Sequence, residues 1–171
     1  MPRRLLDRCQ PDSIQQFRAA ARKRYDDGLA LAATHQRTGA IYLWGYTAEM
    51  VLKAAYFAFI GLAENATITV HGQQSHLSQA IQRGRSLHIA WPNQGAGHNI
   101  RAWSELLIAA RASSPTTAYP SSFDLEVQRY GQRFEPLWRE TLRYRRNQAY
   151  LYEVKQAREA AAWLLSHSSA L

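Results

Sequence analysis

Apolar residues recur at intervals of three and four along most of this chain, and the segments that keep this rhythm predict helices. Pro11-Asp12-Ser13 opens the first, with Asp12 or Ser13 as N-cap and Ile14, Phe17, Ala21, Tyr25 and Leu29 along one face. It should run to about Ala33, with a turn from His35 to Gly39. The second helix starts near 38–40 and runs to Ile60, where Gly61 stops it. Trp44, Val51, Ala55, Phe59 and their neighbours cover nearly its whole circumference, so it reads as the central helix of a bundle. Each large side chain fully buried there contributes about 1.5–3 kcal/mol.

After it, residues 64–75 read as a loop in which Thr67-Ile68-Thr69-Val70 is a β-leaning patch with no partner strand in view. A short helix follows at about 75–83, and a loop spans 86–97. The next helix begins at His98-Asn99 with Ile100, Trp103, Leu106, Leu107 and Ala110 inward. A Ser/Thr/Pro loop covers 113–122. Phe123 to Phe134 is helical, Pro136 suits the first turn of a continuation to about Leu142, and a last helix covers about 150–167. The prediction is an all-α, up-and-down bundle of about five to six helices in one domain over 1–171, with 1–11 as a flexible basic N-terminus.

The apolar run from Ala40 raises the question of a membrane span. Glu49 and Lys53 interrupt it, and the uncharged stretch after Lys53 ends at Ala63, short of the ~20 residues a bilayer requires. Glu49 and Lys53 fall at i,i+4 in the favoured order. Inside so apolar a helix both need partners, which predicts an ion pair. Cys9 is the single cysteine, so no intramolecular disulfide can form, and a reducing compartment, the cytoplasm, is expected. The N-terminal segment carries charge without an apolar h-region and does not read as a secretory signal.

A net charge of +8 directs attention to polyanions. The densest basic stretch, Trp138 to Tyr152, places Arg139, Arg143, Arg145 and Arg146 among Tyr144, Tyr150 and Tyr152. Guanidinium forks grip phosphate oxygens and tyrosine faces stack on unpaired bases. The alternative is a polar junction whose arginines cap helix carbonyls. Other chemistry finds less support. His71 and His76 lack acidic or thiolate companions, so no metal site is expected and no cofactor is implied. Gly95-x-Gly97 ahead of His98 follows no strand and lacks a third glycine. No nucleophile elbow or paired carboxylates occur.

Several segments together resemble the HEPN superfamily, the higher eukaryotes and prokaryotes nucleotide-binding domain. They are Gly45-Tyr46-Thr47-Ala48-Glu49-Met50-Val51-Leu52-Lys53-Ala54, His98-Asn99-Ile100 with its leucine-rich continuation, and Leu142-Arg143-Tyr144 before an Ala-rich terminal helix. The resemblance implies a helical bundle, usually a homodimer, with a cleft lined by the arginine junction. Active members are metal-independent ribonucleases carrying Arg, four to six residues, then His. Others only bind nucleotides, often beside a nucleotidyltransferase partner in toxin–antitoxin or defence systems. Here the expected His is absent, and Arg145 with four intervening residues leads to Tyr150, whose reference pKa near 10 suits it poorly to act as a base.

The expectation is thus a non-catalytic nucleotide- or RNA-binding module. Arg143, Arg145 and Arg146 would hold phosphate, Asn147 would join them in binding the nucleotide or RNA, Tyr150 or Tyr152 would stack on a base, and Glu49–Lys53 would brace the cleft. One alternative is an endoribonuclease using Arg145 and Tyr150. Another is a structural subunit that docks an acidic protein.

Overall fold

The computed structural model describes residues 11–92, 96–114 and 121–171. Its α-helices are α1 (Ile14–Ala33), α2 (Arg37–Phe59), α3 (His76–Ser86), α4 (Ile100–Ala112), α5 (Ser121–Gln132) and α6 (Leu151–Ser166). Short 3-10 segments cover Ala96–His98 and Glu140–Tyr144, and the described residues include no strand. The chain is an all-helical bundle.

Three helices begin where a polar side chain takes up a first-turn N–H that the helix itself leaves unpaired. Ser13 accepts from Gln16 N–H at 3.2 Å, Ser75 from Ser78 at 3.1 Å and Asn99 from Ala102 at 2.9 Å. Gly61 follows the C-terminus of α2 at φ +88, a left-handed conformation that costs glycine nothing. The segment around Ile68 forms no ladder. Ile68 is buried and donates its N–H to Asp12 C=O at 2.7 Å, so it pins the lead-in to α1.

α2 is the axis of the molecule, with α1, α4, α6 and the Glu140–Tyr144 segment all packed on it. Trp44, Ala48, Leu52 and Phe57 are buried along its length. No helix among the described residues is long and apolar enough to cross a membrane.

Two glycines fix how closely neighbours approach. A Cβ on Gly28 would lie 2.5 Å from Trp44 Nε1, and the indole instead fills that space and donates to Tyr25 C=O at 3.2 Å. A Cβ on Gly45 would overlap the ring of Trp138, whose Nε1–H donates to Tyr42 C=O at 2.9 Å. Gly28 therefore takes the inward position that the apolar pattern gives to Leu29, which is exposed.

The helical continuation through Pro136 does not form. α5 ends at Gln132 and residues 133–137 turn. Proline offers no N–H and disfavours helical geometry at Glu135 before it. The turn also swings Trp138 into its place over Gly45.

Candidate nucleic-acid interface

The segment between Tyr144 and α6 has no regular structure and bends at Arg145 and Asn147, and its shape comes from the turn between α1 and α2. Asn147 Oδ1 accepts from Thr38 N–H at 3.1 Å, and its Nδ2 donates to His35 C=O at 2.7 Å. Thr38 Oγ1 accepts from the N–H groups of Gln148 and Ala149 at 2.9 and 3.1 Å. Both ends of the Asn147 amide are thereby used inside the protein. Its part is to hold the loop, a correction to its expected place among the nucleotide- or RNA-binding residues.

Held in this way, the loop presents Arg145, Arg146 and Tyr150 to solvent, beside Tyr152 in the first turn of α6. Neither guanidinium has an ion-pair or hydrogen-bond partner among the described residues. Tyr150 and Tyr152 are 66% and 61% exposed, and their rings stack at 5.9 Å with planes 10° apart. Tyr150 also opens α6, its N–H donating to Glu153 Oε2 at 2.7 Å. Arg145, Arg146 and Tyr150 line a depression of about 370 Å3 whose wall includes Thr38 and Ile41. Arg143 and Arg145 share a second hollow of about 270 Å3 with Tyr42. Arg143 differs from its neighbours in having partners: its guanidinium lies 4.7 Å over the Tyr144 ring and meets Tyr42. The charge distribution on Tyr144, then the Tyr42 contact, holds it still more firmly protonated.

Glu49 and Lys53 form the expected i,i+4 ion pair and are buried. They do not brace the Arg145–Arg146 depression. Eleven residues of helix separate Glu49 from Thr38, about 16 Å at 1.5 Å per residue. The pair faces His98 instead. Glu49 Oε2 lies 3.0 Å from His98 Nδ1, and a carboxylate only accepts, so Nδ1 carries a proton. His98 Nε2 lies 3.4 Å from Glu140 Oε2. The Lys53 ammonium sits 5.5 Å from the centre of the Trp103 ring, whose Nε1–H donates to Gly97 C=O at 3.0 Å.

The hydrogen bond that Glu49 accepts from His98 raises the His98 pKa above the usual imidazole value, against burial and the charge on Lys53. Tyr46 packs edge-on to both His98 and Trp138, at 6.1 and 5.4 Å between ring centres. Burial, then the Tyr42 hydroxyl 3.5 Å away, pushes its phenol well above the normal range.

His98, Trp138, Arg139 and Glu140 line a groove of about 310 Å3 beside this cluster. His98 was legible in the sequence only as a helix start. Its pairing with Glu49 spans 49 positions, and no local spacing signals it. By contrast, the Tyr150 hydroxyl has no acidic, basic or imidazole partner among the described residues that could activate it.

Among the described residues no group of three or more His, Cys, Asp and Glu is arranged to hold a metal ion. His76 Nδ1 faces Thr69, accepting its N–H at 3.0 Å. Cys9 and Gly95, and the expected flexible N-terminus apart from Pro11, lie outside the described residues. No family model, curated protein or solved structure matches the chain.

Proposed function

We propose that this chain is a nucleotide- or single-stranded-RNA-binding module whose ligand face is the junction 143–152. The observation that carries this reading is the coexistence of two guanidiniums without a partner among the described residues and two exposed, mutually stacked tyrosines at the pinned junction of the loop with α6. Large aromatic rings left in water cost free energy that burial would recover, and bases offer flat partners of either edge or face. Arg145 and Arg146 supply phosphate contacts, and Tyr150 or Tyr152 supplies a stacking platform. A single strand fits such a platform better than a duplex, whose bases are already stacked.

The test is affinity for a short fluorescent single-stranded RNA measured across a salt series. Tightening at low salt is expected, with Arg145→Ala and Arg146→Ala each flattening the log–log slope by about 0.7. Binding that is absent, or that ignores both salt and Arg145→Ala, ends the proposal.

A further inference from the structure

The larger of the two hollows at the junction offers more than a grip on phosphate. Its wall carries a carboxylate, Glu153, beside Arg145, Arg146 and Tyr150. A carboxylate in a hollow that only held phosphate would repel its ligand. We propose that Glu153 reads the base, and that this hollow takes a guanine nucleotide of single-stranded RNA. The inference rests on the RNA-binding reading above and names the base that the same site selects.

Glu153 is half-buried in the first turn of α6. Its Oε2 accepts the Tyr150 N–H at 2.7 Å, which fixes the carboxylate at the wall of the hollow. Capping of this kind uses one acceptor direction, and an ionised carboxylate offers about four. Among the described residues no cation pairs with it, although two guanidiniums line the same hollow. Opposite charges therefore share a space of about 370 Å3 without meeting. An occupant that satisfies both needs an N–H edge for the one and an anion for the other. Ile41, Leu137 and Ala149 give the hollow apolar surface and the Tyr150 ring adds an aromatic wall, which suits a flat ring.

A ribonucleotide brings both, and the four bases differ at the edge. A carboxylate can only accept. Guanine offers two adjacent donors, N1–H and the N2 amino group, which match its two oxygens. Adenine and cytosine set a ring-nitrogen acceptor next to their amino group, and that lone pair would face the second oxygen. Uracil has one N–H between two carbonyl oxygens. Guanine is thus the base whose edge meets Glu153 without a repulsive contact. Its phosphate then falls to Arg145 or Arg146. Arg145 also borders the second hollow, beside Arg143, so the strand has a cationic path onward.

The experiment measures the affinity of the full chain for a fluorescent, uridine-rich single-stranded RNA that carries one guanosine. The same strand with adenosine, uridine or inosine at that position gives the comparison, inosine lacking only the N2 amino group. Guanosine should bind at least about tenfold more tightly than each of the three. Glu153→Gln keeps an acceptor for the Tyr150 N–H but cannot take two N–H groups through paired oxygens. It should cut the guanosine preference to less than about threefold, while the all-uridine strand binds at least as tightly, a negative charge having been removed. A role in capping alone would leave the preference untouched. The inosine comparison in the wild type carries the test if Glu153→Gln does not fold. RNA binding that ignores the base, accepts inosine as well as guanosine, or keeps its guanosine preference in Glu153→Gln overturns this inference and leaves the binding module standing. Protein that binds none of the strands removes both.

Discussion

The two halves of α2 treat charge in opposite ways. Toward its C-terminal half, Glu49 and Lys53 are buried, and every charged group has an answer: the pair itself, His98 beyond it and Trp103 beneath it. At its N-terminal end, Thr38 holds a loop that displays Arg145 and Arg146 to water with no partner among the described residues. A buried charge without a partner would not survive folding, so the inner cluster reports on what the bundle requires. The outer arginines contribute little to the bundle, and their placement bears on a ligand.

If that contrast is right, substitutions on the inner side should damage stability and substitutions on the outer side should damage binding alone. The largest effect is expected at Gly45. Gly45→Leu must expel Trp138 from its seat and should cost about 3–5 kcal/mol, the scale of losing a buried tryptophan, as read by chemical denaturation. Lys53→Met comes next, at about 3 kcal/mol, because it leaves Glu49 buried with His98 as its remaining charged partner. Tyr150→Ala should weaken RNA binding by about 1–3 kcal/mol yet shift stability by less than about 0.5 kcal/mol. A stability loss there as large as that at Lys53 would erase the distinction between the two regions.

The smallest effect is a pH dependence. The His98 pKa is raised in the folded chain, so its stabilising contribution is fully present below the unfolded value near 6.5. It is lost as pH rises through the higher folded value. Denaturation midpoints should fall over that interval in the wild type, and His98→Asn should remove this component.

Helix positions and the central role of α2 could be read from the sequence because caps and apolar spacing are local signals. Ser13, Ser75 and Asn99 each sit a few residues from the N–H they satisfy. The inward turn of Gly28 in place of Leu29 could not be read in the same way, since a pattern of apolar side chains is blind to a residue that contributes only space. The continuation past Pro136 failed for a related reason: Trp138 answers to Gly45, a distant residue, rather than to its own neighbours. In the candidate site, Arg145, Arg146, Tyr150 and Tyr152 were legible as a run of chemistry. The Glu49–His98–Glu140 chain was not, because each link joins a different element.

The bonds from Thr38 and Asn147 have a consequence for when this face comes into existence. Asn147 reaches His35, 112 positions earlier in the chain. On a ribosome, α1 and α2 can pair long before residue 147 emerges, yet the loop has nothing to shape it until its segment returns to that hairpin. The arginine and tyrosine surface is thus among the last parts to be assembled, and a nascent chain with a folded first hairpin would still be blind to its ligand.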